Sequence, residues 1–121
     1  MRPLLEESRI HPAIRDKIAT YRGDVLKEVQ GAVAANAVVV VGMRQNPMPK
    51  HARKLLDQDR IAYKYLEYGS YLSGWRRRTA LKMWTGWPTF PMVFVKGVLV
   101  GGADEIGRLI ESGELKRALG E

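Results

Sequence analysis

The sequence predicts an α/β domain, on three observations. Ala37-Val38-Val39-Val40-Val41 is an unbroken, mostly β-branched run, the pattern of a strand covered on both faces, as in parallel sheets. A helical segment and a second apolar stretch, Ile61 to Leu66, follow it at the spacing of a βαβ unit, so these two strands are expected to be parallel. Met92 to Val95 and Val98 to Val100 then flank Lys96-Gly97, a hairpin signal.

The elements follow in order. Residues 1–9 read as a loose tail. Pro12 suits a first helical turn, and Ile10, Ile14 and Ile18 recur at helical spacing, predicting a short helix with an apolar stripe. Arg22-Gly23-Asp24 breaks that run. With Asp24 as N-cap and Val25, Val29 and Val33 as the stripe, a second helix is expected from about Asp24 to Ala35. After the valine strand, Gly42 to Pro49 reads as a loop and Lys50 to Gln58 as a helix with Ala52, Leu55 and Leu56 inward. Tyr71 to Trp84 reads as a basic helix burying Leu72, Trp75, Leu81 and Trp84. Thr85 to Pro91 is a loop, since its prolines and glycine exclude a helix. Asp104–Glu111 and Gly113–Leu119 close the domain as helical pieces.

A chain of 121 residues fits one domain, here an N-terminal extension over 1–22 and a domain over 23–121. No apolar run is long enough to span a bilayer; the longest, Ala32 to Gly42, is broken by Asn36. The first residues carry acids, Glu6 and Glu7, where a secretory signal would be apolar, so no membrane association and a cytoplasmic location are expected. The chain has no cysteine, which removes disulfides, thiolate nucleophiles and cysteine-ligated metals together. The net charge of +7 is uneven. From Val41 to Lys82 there are ten Lys/Arg against three acids, and the rest of the chain carries ten of each. A basic middle third suits an anionic partner, a protein being one candidate, and equally suits a solvated basic surface.

Three segments are placed to meet at one end of the sheet. The loop after the valine strand lies where ligands gather in α/β sheets, at a strand C-terminus. Thr89-Phe90-Pro91 precedes a strand, and a cis bond there would turn a backbone N–H and C=O outward; about one X-Pro bond in twenty is cis in folded proteins. Gly101-Gly102-Ala103-Asp104 precedes a helix, whose free N–H groups favour a carboxylate or phosphate. Other candidates are weaker. His51 reads as a solvent-facing helical residue, His11 has no visible partner, and Ser70 and Ser73 lack a nearby base. Met43, Met48, Met83 and Met92 read as core or rim packing. No paired carboxylates or His-x-x-x-His pattern point to a metal or hydrolytic site.

Trp87-Pro88-Thr89-Phe90-Pro91, followed by Phe94-Val95-Lys96-Gly97-Val98-Leu99-Val100-Gly101-Gly102-Ala103-Asp104, resembles the C-terminal half of a glutaredoxin, most nearly of the monothiol class. Arg78-x-x-Leu81-Lys82, Ser112-Gly113-Glu114-Leu115 and the Val39-Val40-Val41 strand with Met43-Arg44 also resemble it. The resemblance runs from about Asp24 to Leu119. It implies a thioredoxin fold, a four-stranded mixed sheet flanked by helices, with the N-terminal helical extension outside it. It also implies a cis Pro91 and a glutathione groove. In that groove Arg44 and Arg78 would meet the glycyl carboxylate. Thr89, Phe90 and Pro91 would pair with the cysteinyl unit, and Gly102, Ala103 and Asp104 would hold the γ-glutamyl end. An anionic, peptide-like ligand suits two arginines and a helix N-terminus.

The departure lies at the family's reactive loop. Asn46-Pro47-Met48-Pro49 stands where dithiol members carry Cys-Pro-x-Cys, and in a monothiol register the Cys-Gly-Phe-Ser stretch is shortened away. Disulfide exchange needs a thiolate attacker, and the cluster that the monothiol class carries uses that same cysteine. No catalytic residue, metal ligand or cofactor is therefore assigned, with glutathione as the implied ligand. The sequence leads to a cysteine-free glutaredoxin-like protein that binds glutathione or a protein partner in a regulatory or scaffolding role. Its alternatives are a redox or iron–sulfur protein whose cysteine was removed or comes from a partner, and a basic nucleic-acid-binding module using Arg76, Arg77 and Arg78 with Tyr71 and Trp75. Stacking needs exposed aromatics, whereas helical spacing predicts a buried Trp75, which disfavours the last.

Overall fold

The computed structural model describes residues 2–120. A 3-10 turn at Glu7–Arg9 precedes α1 (Pro12–Ala19), α2 (Gly23–Ala35), β1 (Val38–Gly42), α3 (Pro47–Gln58), β2 (Lys64–Glu67), α4 (Trp75–Thr85), β3 (Met92–Val95), β4 (Val98–Gly101), α5 (Ala103–Ser112) and α6 (Glu114–Ala118). The sheet is four-stranded in the order β2-β1-β3-β4. β1 runs parallel to β2, with Val40 opposite Tyr65, and antiparallel to β3, with Val40 opposite Val93. β3 and β4 form the expected hairpin. Its turn residues Lys96 and Gly97 both have positive φ, 51° and 82°, which matches the twist of the flanking strands.

Strand geometry sends alternate side chains to opposite faces, and β1 fills both. Val39 and Val41 join Val25 and Val29 of α2, Leu81 of α4, Phe90 and Met92 in one core. Val38 and Val40 join Ala52 and Leu56 of α3, Ile106 of α5 and Leu115 of α6 in the other. All four valines are essentially inaccessible, each contributing roughly 1.5–3 kcal/mol by burial. Helices therefore cover both faces of the sheet, as the resemblance implies. Among the described residues, no helix is long and apolar enough to cross a membrane.

Several element boundaries differ from expectation. α3 starts at Pro47, three residues earlier than predicted, because the first turn of a helix tolerates proline where its missing N–H has no partner. The run Asn46 to Pro49 is thus a helix cap and first turn. Asp24 lies inside the first turn of α2, which is entered through Arg22 in a left-handed conformation with φ 49°. Ile14 and Ile18 are exposed, so α1 is a helix without a buried stripe. Tyr71 to Gly74 is a turn and not helix: Gly69 and Gly74 both have left-handed φ, and Ser70 bridges Ser73. Leu72 and Trp75 are consequently 90% and 57% exposed. Leu81 is buried and Trp84 packs on Phe94, as a stripe requires.

Gly42 ends β1 against the first turn of α3. A Cβ built there would lie 2.7 Å from Pro49 Cβ and 2.9 Å from Tyr65 Oη. The rigid proline ring cannot step aside, so the missing side chain sets how closely α3 approaches the sheet. Gly42→Ala is expected to lower unfolding stability by about 1–3 kcal/mol, read from urea denaturation midpoints. An unchanged midpoint would show that α3 tolerates a wider approach.

Candidate functional site

The loop after β1, the turn before β3 and the start of α5 meet at one end of the sheet. Asn46 is the N-cap of α3, and its Oδ1 accepts from the Met48 N–H at 2.9 Å. Its Nδ2 donates to the Phe90 carbonyl at 3.4 Å. One side chain therefore ties the helix head to the turn. The Phe90–Pro91 peptide is cis, as the resemblance implies. The Phe90 ring is buried in the core and only 5% exposed.

Gly102 sits beside this turn, where a Cβ would be 3.3 Å from the Pro91 carbonyl oxygen. It caps α5, and Glu105 Oε1 accepts from the Gly102 N–H at 2.8 Å. The next residues, Ala103 and Asp104, begin the helix, with Ala103 buried and Asp104 exposed. Between these segments lies an open cavity of about 250 Å³. Asn46 and Met48 line it on one side, and Thr89, Pro91 and Asp104 on the other. Trp87 forms part of its wall, and the indole N–H of Trp87 is buried without a hydrogen-bond partner. In the sequence Trp87 stands out only as part of the motif, and its bulk, packed beside Gly102, is the signal that points to the wall.

The two arginines expected at the site stand apart from that cavity. Arg44 is solvent-facing, with Nε 3.8 Å from Glu67 Oε2, and its backbone N–H donates to the Gly69 carbonyl at 2.7 Å. Arg78 is buried, only 7% exposed. Its Nη1 donates to the carbonyls of Tyr68 at 3.0 Å and Ser73 at 2.7 Å. That guanidinium holds the Gly69–Gly74 turn in place. Its helical position gave no hint of this, because the acceptors are backbone oxygens of a turn. Nearby, Tyr65 Oη donates to Glu67 Oε1 at 3.1 Å, and the Arg53 guanidinium lies 3.9 Å from the Tyr65 ring centroid. Burial, helped by the Glu67 hydrogen bond, pushes the Tyr65 hydroxyl up to about 12. The Tyr68 hydroxyl, bonded to Glu28, is likewise raised mainly by burial. Both phenols stay neutral donors.

The remaining candidates resolve simply. His51 is exposed on α3. His11, expected to lack a partner, caps α1 by accepting from the Ala13 N–H at 3.0 Å. The Ser70 and Ser73 hydroxyls lie 3.2 Å apart within their turn. Met43 and Met92 are core, while Met48 and Met83 are exposed at 37% and 49%. Among the described residues, the side chains at the cap and first turn of α3 that could ligate are the Asn46 amide and the Met48 thioether, which do not fit an iron–sulfur cluster held by thiolates.

Comparison with known proteins gives concordant results. The family model described as Glutaredoxin matches residues 38–100. A glutaredoxin-like protein of Dictyostelium discoideum is 45% identical over 102 residues, 84% of this chain and 83% of that protein. Monothiol glutaredoxin-4 of Schizosaccharomyces pombe is 48% identical over 42 residues, 35% of this chain and 17% of that protein. Among solved structures, a buckwheat glutaredoxin-glutathione complex superposes with a TM-score of 0.72 at 28% identity, covering 87% of this chain and 92% of that one.

Removing the Arg78 guanidinium leaves two inward-facing carbonyls without their donor. Arg78→Ala is expected to destabilise the protein by about 1–3 kcal/mol and to speed amide hydrogen exchange from Ser70 to Gly74. Arg77→Ala, on the exposed side of the same helix, should change neither. Equal effects of the two variants would show that the Arg78 contacts contribute nothing.

Proposed function

The chain belongs to the glutaredoxin family and has the thioredoxin fold, and on that premise we propose that it binds glutathione without turning it over. The observation that carries this reading is Asn46. At the head of α3 the side chain is an amide, bonded on one side to the Met48 N–H and on the other to the Phe90 carbonyl. An amide neither attacks a disulfide nor leaves as a thiolate, so the protein contributes a fitted surface and no redox step.

The groove around Asn46 keeps the features a γ-glutamyl peptide needs. The backbone of Phe90 pairs with the cysteinyl unit, with Thr89 and Pro91 on either side. The ligand's backbone N–H displaces the 3.4 Å Asn46 contact at the Phe90 carbonyl. The first amides of α5 take the γ-glutamyl carboxylate, and the exposed Asp104 carboxylate takes its ammonium group. Arg44 leaves Glu67 for the glycyl carboxylate, exchanging one solvent-exposed ion pair for another at little cost. Arg78 acts at one remove, by holding the turn beside Arg44. Loaded or empty, such a protein regulates or scaffolds through its occupancy.

Calorimetric titration with reduced glutathione should give saturable binding. Asp104→Ala and Arg44→Ala should each weaken it by about tenfold, the order expected for one charge-assisted contact. Asn46→Cys should form a mixed disulfide with glutathione disulfide, the new thiolate displacing one reduced glutathione per protein, detected by mass. The unsubstituted protein should gain no adduct. No heat at millimolar glutathione, together with an inert Asn46→Cys variant, would overturn the proposal.

A further inference from the structure

The Tyr71–Gly74 turn and the head of α4 form a second surface, separate from the cavity at Asn46. Three large apolar side chains project there: Tyr71, Leu72 and Trp75, at 63%, 90% and 57% exposure. Single exposed apolar residues are ordinary, but a cluster marks an interaction site. The cluster is also held rigidly. Arg78 anchors the Ser73 carbonyl from below, Ser70 and Ser73 bridge the turn, and glycines with left-handed φ stand at both ends. A pinned turn lifts its apolar residues into solvent without the ordering cost that a loose loop would meet on binding.

Arginines ring this cluster. A cavity of about 350 Å³ opens between Arg22, Arg76 and Arg77, with Leu72 and Trp75 as its apolar lip. Arg22 reaches it from the joint before α2, so two separate elements supply the charge. Among the described residues, no carboxylate lies within ion-pairing distance of any of the three. The first turn of α4 carries no acid, and the Arg76 guanidinium sits 5.0 Å from the Trp75 ring centroid.

From this juxtaposition we propose that the Arg22–Leu72–Trp75–Arg76–Arg77 surface docks an acidic protein segment. A carboxylate of the partner enters the arginine-lined cavity, and an adjacent apolar side chain of the partner packs on Leu72 and Trp75. Charge complementarity selects the acid, and the mixture of Trp, Tyr and Arg is the composition of protein-interface hot spots. Nucleic acid would find rings to stack on in Tyr71 and Trp75, but Arg78, the third arginine of that reading, is buried on backbone carbonyls and the most exposed apolar residue is the aliphatic Leu72, so a protein is favoured. It is favoured over a lipid surface because the arginines line a concavity that accepts a projecting side chain. Trp75 was expected in the core, and its exposure is what opens this reading.

The surface does not depend on glutathione, so the test is run with and without it. The probe is a short fluorescein-labelled peptide alternating Asp-Glu pairs with Leu and Phe. Two competitors of matched size accompany it, a single-stranded oligouridine and vesicles containing phosphatidylserine. Anisotropy should report saturable peptide binding that weakens as salt rises. An Arg76→Glu, Arg77→Glu variant should weaken it by at least about tenfold, and Trp75→Ala should lower it while leaving the thermal midpoint and glutathione affinity unchanged. Because the charge reversals sit on the exposed face of α4, Arg76→Gln with Arg77→Gln serves as a milder second variant. No peptide binding, binding indifferent to these substitutions, or tighter binding of the oligouridine or the vesicles through the same residues would each overturn the proposal.

Discussion

β1 reaches solvent on neither face, and the arrangement of every other element follows from where its side chains go. Val39 and Val41 require α2 and α4 on one side, and Val38 and Val40 require α3, α5 and α6 on the other. Its two edges are occupied as well, by β2 in parallel and β3 in antiparallel pairing. A strand so enclosed can offer a ligand only its end. The C-terminal end of β1 is where Gly42 lets α3 come close, where Arg44 leaves the sheet, and where the Phe90–Pro91 turn arrives on the neighbouring strand.

That end is built in two unlike halves. Toward α5, the Thr89–Pro91 turn, Gly102 and Asp104 surround an open cavity. Toward β2, Arg44 lies against Glu67 and Arg78 faces inward to the Gly69–Gly74 turn. The first half is backbone and helix terminus, so its shape is set by the fold. The second is made of long side chains, whose positions answer to whatever charge is nearby. On the proposed reading, a γ-glutamyl peptide meets the first half preformed apart from the Asn46–Phe90 contact it displaces, and reorganises the arginine half. Asn46 sits at the boundary between the two and joins α3 to the turn.

Much of this was legible in the residues. The valine run announced the central strand, the spacing to Ile61–Leu66 announced the parallel pair, and Lys96-Gly97 announced the hairpin. The cis Pro91 came from the resemblance, since composition gives no basis for it. What stayed hidden involved competition between local and distant partners. Pro47 and Pro49 read as loop until Asn46 is seen to cap the helix that contains them. Tyr71 and Leu72 carry helical spacing, yet the left-handed glycines and the inward Arg78 make that stretch a turn. An arginine satisfied by backbone carbonyls from another segment leaves no mark in periodicity, and neither does the exposure of Trp75 that results.

The pairing of Asn46 with Pro47 bears on how this site ages. Asparagine is the side chain most prone to spontaneous loss of its amide, a reaction that begins when the following residue's backbone nitrogen attacks the side-chain carbonyl. Proline has no N–H to supply that attack, and the Asn46 amide is held on both sides. Conversion to aspartate would replace the donor facing the Phe90 carbonyl with a negative charge, repelling carbonyl and anionic ligand alike. A site without thiols is spared thiol oxidation, leaving the Met48 thioether as its oxidisable sulfur; with proline next to its asparagine it is spared deamidation too. The groove's resistance to deamidation is thus written into two adjacent residues.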